Sequence, residues 1–429
     1  MMSGKRPRLV IVLCLILGSS VASGQNPVLP EILSFAARPS TVARLARLEF
    51  DLLGEKDGRV YVAVKPNDLA RLEAERLPFR YETWSLSRAV SGPAAQGGPI
   101  GAFNTGAKLE RDLADLQARF PGLAKITSLG ESLEGRPLYA LKISDNVAQD
   151  EPEAEFLVLG CHHAREWISV EVPYLFGRTL LERYGTDPDV KRLVDQSEVW
   201  IVPLVNPDGH DYSVRAYRYW RKNRRANGDG EFGVDLNRNY GFKWGLDNQG
   251  SSPNPSSDVY RGTAAFSEPE TRAVRDLFLS RNFRAVVSYH SYSQVILYPW
   301  GYTSSPPPDI ATLNVLALKM SGIMKNVGGR TYAVGQGIQM LNYLTNGDTI
   351  DWSYGTAGIP SYTIELPPVD QLGGGFFNAE KDIDLIFREN LPALLDLLQW
   401  AVDDFAARPA DPASALLDRL RPHLGFPRR

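Results

Sequence analysis

Residues Phe156 to Val170, FLVLGCHHAREWISV, constrain the chain more than any other stretch. Phe156 to Leu159 is an apolar run that reads as a buried strand, closed by Gly160. His163 and Glu166 follow at its exit, and from Ile168 the pattern turns helical. A histidine and a glutamate spaced i, i+3 can aim at one centre, and both side chains are zinc ligands. His162 would pair with Glu166 at i, i+4, the spacing of a different kind of zinc helix. The pair alone is weak, because such spacings arise often on solvated surfaces. A metal site also needs a third protein ligand and an open position.

The chain has 429 residues, enough for a large core, and its hydrophobic content of 43% is that of a globular protein. A net charge of -3 carries no nucleic-acid footprint. There are five histidines, His162, His163, His210, His290 and His423, so each can be weighed singly. Of the two cysteines, Cys14 lies in an apolar leader, which leaves Cys161 without an internal disulfide partner. Cys161 reads as a small buried residue; its alternative is a nucleophile paired with His162.

The N-terminus resembles a secretory signal peptide over residues 1–24. Lys5, Arg6 and Arg8 precede the apolar run Leu9 to Leu17, and Ala22-Ser23-Gly24 offers a cleavage site. The run is too short to span a bilayer comfortably, so export is expected, to the extracellular space or periplasm, with no stable membrane association afterwards. Residues 25–100 form a distinct segment. Arg59 to Lys65 alternates as a strand, and Pro66-Asn67-Asp68 opens a helix carrying Leu69, Leu72 and Leu77. Val90 to Gly101 is a Gly/Pro/Ala/Ser-rich linker. This organisation predicts a small α/β prosegment removed on activation; its alternative is a permanent N-terminal domain.

From Lys108 helical and strand patterns alternate. Helices are expected near Leu109–Phe120, Val170–Tyr184, Glu268–Leu279, Ile310–Met324 and Ile383–Phe405, the last bent or interrupted at Pro392. Strands are expected at Leu138–Ile143, Phe156–Leu159, Val199–Val205, Ala285–Tyr289 and Tyr362–Leu366. The alternation predicts a single large α/β domain over residues 101–405, with a mixed, mostly parallel, helix-covered sheet. Residues 406–429 read as a surface tail. Strand ends carry the chemistry in such sheets. They deliver His163 and Glu166, then Asn206-Pro207-Asp208-Gly209, then His290, a plausible third ligand, and finally Glu365. A carboxylate in the apolar setting Ile364-Glu365-Leu366 is a candidate general base. Most of the basic run Arg218 to Arg225 reads as a solvated face, with part turned inward beside Tyr219 and Trp220.

These residues resemble the zinc metallocarboxypeptidases of the A/B type. The likeness rests on HAREWIS around His163 and Glu166, NPDG at 206–209, WRKNR at 220–224, DLNRN at 235–239, SYHSYSQ at 288–294, DWSY at 351–354 and IEL at 364–366. Seven motifs in order make it specific over about residues 100–405. The N-terminal segment more loosely resembles the prosegments of secreted bacterial members. The resemblance implies one zinc per chain on His163, Glu166 and His290, with Asp235 orienting the His163 ring. It implies Glu365 as general base and Arg221 as oxyanion stabiliser. Arg238, with Asn237 and Tyr343, would grip a free C-terminal carboxylate, and Arg165 and Tyr292 would line the cleft beyond the cut. Peptide and protein C-termini are the implied substrates, and the enzyme is expected to be a secreted monomeric zymogen product.

Ile350 stands where A-type members are apolar and B-type members acidic, which implies bulky apolar C-terminal residues. Asp348 departs from the usual glycine. It resembles bacterial members of mixed specificity that also accept Lys or Arg; the alternative is a turn residue after Gly347. Ala379 follows Phe376-Phe377-Asn378 where a proline is usual. Three other classes remain: a catalytically silent binding protein, a hydrolase of non-protein amides or cell-wall peptides, and a thiol enzyme using Cys161 and His162. The first would lose Glu365 or a zinc ligand, the second would lack Asn237, Arg238 and Tyr343, and the third would survive metal removal.

Overall fold

The strand β7 (Ala154–Gly160) is buried along its whole length, and its side chains divide between two cores. Phe156 and Val158 enter one hydrophobic cluster, and Leu157 and Leu159 enter the other. A strand with two apolar faces belongs in the middle of a sheet covered on both sides. The structure, a computed structural model, describes residues 31–82 and 101–408, except 49, 57, 65, 229 and 370–374. The expected leader, most of the linker and the tail beyond Arg408 lie outside the described residues.

An N-terminal unit comes first: β1 (Glu31–Ala36), α1 (Pro39–Arg47), β2 (Asp51–Lys56), β3 (Arg59–Val64), α2 (Pro66–Ala74) and β4 (Phe79–Tyr81). Its antiparallel sheet runs β2-β3-β1-β4 over a core of Leu33, Phe35, Leu45, Val60, Val62 and Leu72. Leu77 packs on that core from beyond the end of α2 rather than from within the helix.

The larger domain adds α3 (Gly106–Arg119), β5 (Ala124–Glu131), β6 (Pro137–Ile143), α4 (Ile168–Arg183), α5 (Pro188–Val194), β8 (Ser197–Val202) and α6 (Pro207–Arg215). A short hairpin, β9 (Ala226–Gly228) and β10 (Glu231–Phe232), precedes α7 (Pro269–Leu279), β11 (Phe283–Ser291), β12 (Val295–Tyr298) and α8 (Ile310–Gly328). The chain continues through β13 (Ala333–Gln336), α9 (Gly337–Leu341), α10 (Thr349–Ala357), β14 (Ser361–Leu366) and α11 (Glu380–Ala407). The eight-stranded sheet has the order β13-β12-β14-β11-β7-β8-β6-β5. Its centre, β14-β11-β7-β8, is parallel, and antiparallel pairs flank it. This is the mixed, mostly parallel sheet that the alternation predicts.

Several expected bounds shift by two to four residues, such as α8, which runs on past Met324 to Gly328, and two differences have a clear cause. β8 stops at Val202, because Pro203 has no N–H to continue the ladder. α11 runs unbroken through Pro392 to Ala407. A proline inside a helix costs about 3 kcal/mol, but buried Leu391, Ala393, Leu394, Leu397 and Leu398 hold both halves on the core.

Candidate active site

The site lies where the parallel strands end. Gly160 closes β7 because a Cβ there would sit 2.3 Å from the Ser169 carbonyl oxygen. Cys161 then takes φ +55°, a left-handed conformation uncommon for a non-glycine residue. That turn directs His162 and His163 into the molecule, where both are buried. Asn206 fastens it, donating from Nδ2 to the carbonyls of His162 (3.0 Å) and Lys222 (3.2 Å). Its Oδ1 accepts the Gly209 N–H and caps α6, so Asn206 builds the loops and does no chemistry. Asp208 is likewise structural: it is fully buried and accepts from Ser132, the Glu134 N–H and Arg136.

His163, Glu166 and His290 converge. His163 Nδ1 lies 2.7 Å from Glu166 Oε1, and His290 Nδ1 lies 3.0 Å from Glu166 Oε2 and 3.1 Å from His163 Nδ1. Three groups of possible ligands lie within 4.8 Å among the described residues, and this one alone contains histidine. Two imidazole nitrogens and a carboxylate oxygen converging this closely could hold a cation between them. A His₂Glu set with room for water suits zinc. His163 Nε2 points away to Asp235 Oδ1 at 3.2 Å, the contact that orients a ligating ring.

Asp235 also accepts from Arg221, through Nε at 3.1 Å and Nη2 at 2.8 Å, a pairing that sequence reasoning did not assign. Burial opposes its ionisation, but Arg221, His163 and Arg238 hold its carboxyl well below the usual range. Glu365 stands on β14 in register with His290 on β11. Desolvation, then the charge of Glu166, pushes its carboxyl well above the usual range, against Arg221, Arg165 and Arg238. A carboxylate so poised beside a cation is suited to move a proton.

Asp235 caps a single 3₁₀ turn, Leu236–Arg238, by accepting the Asn237 N–H at 2.9 Å. That turn presents Asn237 and Arg238. The amide of Asn237 has a fixed direction: its Oδ1 takes both the backbone N–H of Thr349 (2.9 Å) and the Thr349 hydroxyl (2.7 Å). Arg238 is 3% exposed, makes no ion pair among the described residues, and bonds only the Asn237 carbonyl. Its Nε has no partner. Tyr343 is 38% exposed, while desolvation at its inward-facing hydroxyl, then the charge of Glu365, pushes that group up to about 12 against Arg238 and Arg221.

Ile350 packs with Val295, Leu297, Met340 and Leu341 into an apolar patch beside this wall. Asp348 is the N-cap of α10, accepting the Asp351 N–H at 2.8 Å and the Thr345 hydroxyl at 2.5 Å. Burial pushes its carboxyl up; burial, and then the charge of Asp348, pushes that of Asp351 well up. On the opposite wall the Arg165 guanidinium lies 4.2 Å over the Phe376 ring, and Tyr292 meets the same ring edge-on at 4.8 Å. Tyr219 joins this wall, and so do Ile32 and Tyr61 of the N-terminal unit.

The basic run Arg218–Arg225 is not the mostly solvated face expected: Arg218, Tyr219, Lys222 and Asn223 are buried and the other four residues are half-buried, because the aromatic rings of Trp167, Tyr212, Trp220 and Tyr260 take up its cations. Arg218 lies 3.7 Å from the Trp167 ring centre and 4.7 Å from that of Phe377, and donates to the Arg165 carbonyl. Desolvation lowers its pKa to about 9. Cys161 is buried with its thiol pKa driven well up by desolvation, and the imidazole its sulfur meets, at 3.9 Å, is that of His210. Sequence reasoning missed Thr349, Ser288 and the surroundings of His162. A serine inside the apolar strand pattern VVSYH was the one local signal for them.

The profile of the zinc carboxypeptidase family matches residues 109–393. Rat carboxypeptidase A2 is 35% identical over 267 residues, 62% of this chain and 62% of that protein. The chain thus spans less than two thirds of that relative. Crayfish (Astacus astacus) carboxypeptidase B is 36% identical over 266 residues, 61% of this chain and 85% of that protein. The crystal structure of thrombin-activatable fibrinolysis inhibitor superposes with a TM-score of 0.73 at 28% identity, covering 87% of this chain and 99% of that one. Carboxypeptidase A from Helicoverpa armigera gives 0.74 at 24% identity, covering 90% and 100%, which bears on the fold alone.

Proposed function

The chain belongs to the zinc carboxypeptidase family, and we propose that it is a secreted zinc metallocarboxypeptidase that removes C-terminal residues from peptides and proteins. One observation carries the reading. A buried guanidinium, Arg238, makes no ion pair among the described residues, leaves its Nε without a partner, and stands beside a three-ligand metal set and Glu365. Asp235 and Glu365 feel its charge only at a distance, and a substrate's terminal carboxylate would give it a direct partner.

His163, Glu166 and His290 would hold the metal, which when bound supplies a water of lowered pKa and a Lewis-acidic charge. Arg238 forks onto the terminal carboxylate, with the Asn237 amide and the Tyr343 hydroxyl alongside. This grip sets the last peptide bond against the reactive water, and a mid-chain bond offers it nothing. Glu365 would take a proton from a water attacking the carbonyl carbon. Arg221 adds positive charge where the oxyanion develops. Glu365 then gives the proton to the amine nitrogen as the C–N bond breaks.

The apolar patch around Ile350 supports a preference for bulky apolar ends. Both oxygens of Asp348 are engaged by Thr345 and Asp351, so basic ends would be the poorer substrates. Ile32 and Tyr61 pack on Tyr219, Tyr292 and Phe376, which supports a covering prosegment within residues 25–100 and a chain made as a zymogen.

The test is release of the last residue, followed by mass, from peptides ending in Phe, Leu, Arg or Glu. It is run before and after cleavage between residues 83 and 100, with and without a zinc chelator. Chelator-sensitive loss of Phe and Leu, faster after cleavage, is the expected result. No release from any peptide by the zinc-loaded, cleaved protein contradicts the reading.

A further inference from the structure

Helix α8 turns Leu313, Leu316, Ala317, Met320 and Met324 to the core, and its opposite face is apolar too. Val315, Leu318 and Gly322, at i, i+3 and i+7, lie along that outer face and are exposed. Val315, at 62%, is the most exposed large apolar side chain among the described residues, and Leu318, one turn on, is 54% exposed. Single exposed apolar residues need no explanation, but neighbours on one face mark a contact surface. Gly322 points the same way. A Cβ there would meet nothing within 4 Å, so no neighbour among the described residues requires a glycine. Glycine weakens an exposed helix relative to alanine, and a close approach of another element over that turn would account for it.

The chain itself carries a segment that fits. α8 and α11 run antiparallel: Lys319 pairs with Asp396 at 2.6 Å, and Arg330, just past α8, pairs with Glu389 at 3.1 Å. Going back from Lys319 to Ile310 and on from Asp396 to Ala407 covers nearly the same length. The end of α11 therefore lies beside the start of α8. The residues after Arg408 lie outside the described ones, and their sequence is informative. Asp411 is an N-cap residue, Pro412 suits a first turn, and Pro422 is a stop. Between them Ala413, Leu416, Leu417 and Leu420 recur at i, i+3, i+4 and i+7, a one-sided helical pattern. Ala413, Leu416 and Leu420 repeat the i, i+3, i+7 spacing of Val315, Leu318 and Gly322, with the largest side chain matched to the glycine. The chain from Arg408 to Ala413 reaches about 17 Å. That crosses the roughly 10 Å between packed helices and climbs to the level of Val315. Charge agrees: Asp396, Asp403 and Asp404 make the last turns of α11 acidic, and Arg419 and Arg421 flank the tail's apolar face.

We propose that residues 412–421 dock as a short helix along the outer face of α8, parallel to it. Ala413 meets Val315, Leu416 meets Leu318, and Leu420 lies over Gly322. The tail is then a clasp that buries a face the catalytic domain leaves exposed. A chain that hydrolysed no peptide would still close it.

The test places pairs of cysteines in the full chain, where Cys161 is buried and does not compete. Leu318→Cys/Leu416→Cys should close an intramolecular disulfide under a mild oxidant, with a yield independent of protein concentration. Leu318→Cys/Ala415→Cys puts the second thiol on the far side of the tail pattern. It should close at least about tenfold more slowly, because a disulfide needs Cα atoms within about 7 Å and converging Cβ directions. A second measurement needs no cysteine. Between Arg408 and Arg428 trypsin can cut only after Arg419, since Arg408 and Arg421 precede prolines. Cutting of a docked segment tracks the fraction that is open. Leu318→Asp should therefore speed that cut about tenfold, while Val327→Asp, on the same helix but off this face, should leave it within about twofold of wild type.

Equal yields from the two cysteine pairs, or no disulfide in either, overturn the proposal. Disulfides that form only between molecules also overturn it and make the face a contact between copies of the chain. If the cysteine variants do not fold, the trypsin comparison decides, and equal cutting of wild type and Leu318→Asp overturns it.

Discussion

His163, Glu166 and His290 project from the ends of β7 and β11, while Asn237, Arg238, Tyr343 and Asp348 come from one 3₁₀ turn and the loop before α10. The first group is held by two neighbouring strands in register, with both faces buried. The second is held by caps: Asp235 on the turn, Thr349 on Asn237, and Asp348 on its own helix. A strand end can move only with the sheet, whereas a capped turn can lose one hydrogen bond and keep its path. Damage at the metal corner should therefore abolish chemistry. Damage at the carboxylate wall should be graded and fall on KM.

The largest expected effect is at Glu365. Glu365→Gln should lower kcat by roughly 10³–10⁴, with zinc content unchanged and KM near wild type, if the carboxylate moves the proton. Steady-state kinetics with metal analysis checks this, and a loss shared with KM would blur the contrast between the two regions. Next is the wall. Arg238→Gln should raise KM about 100-fold, the loss of a charged bidentate contact of about 3 kcal/mol, with kcat changed far less. A collapse of kcat at constant KM would break the comparison.

Asp348 sharpens it further. Asp348→Asn keeps an N-cap for α10 but removes the negative charge. Release of C-terminal Arg relative to Phe should fall about tenfold if that charge faces the pocket, a change of about 1.4 kcal/mol. An unchanged ratio would leave Asp348 as a cap alone.

The smallest effect on turnover is expected behind the wall, at Glu270 on α7. It is fully buried with Oε1 unpartnered, and desolvation, then Glu268 and Asp208, push its pKa to about 8. Its folded pKa lies above the unfolded value near 4.5, so its contribution to stability is present below about 4.5 and is lost as pH rises toward about 8. Glu270→Gln should remove that loss, flattening stability between pH 5 and 8 by roughly 3 kcal/mol without changing kcat. Chemical denaturation at the two pH values measures it, and parallel curves for variant and wild type would refute it.

The same contrast governs what the sequence reveals. His163, Glu166, His290 and Glu365 are polar residues where apolar strand patterns end, so local pattern finds them. Asn237, Arg238, Tyr343 and Ile350 lie in segments with no periodicity, and only the resemblance to a family picks them out. Arg221 was legible as an inward-turned cation but not as the partner of Asp235, a contact made across 14 residues of irregular chain. Ser288 shows locally only as a polar residue in the apolar pattern VVSYH, and the contacts of Ser288 and Thr349 with His162 and Asn237, more than a hundred residues away, are not encoded locally. Pro392 misleads for the opposite reason: its local cost is real, and the buried leucines around it outweigh it.

The most direct measurement compares two peptides that differ only at the last atom group, one ending in Phe with a free carboxylate and one in its amide. The processed, zinc-loaded protein should release Phe from the acid at least about 100-fold faster in kcat/KM than phenylalaninamide from the amide. The Arg238→Gln variant should nearly erase that ratio. Equal cleavage of the two by the wild type would contradict the claim that a buried arginine waiting for a carboxylate makes this chain an exopeptidase.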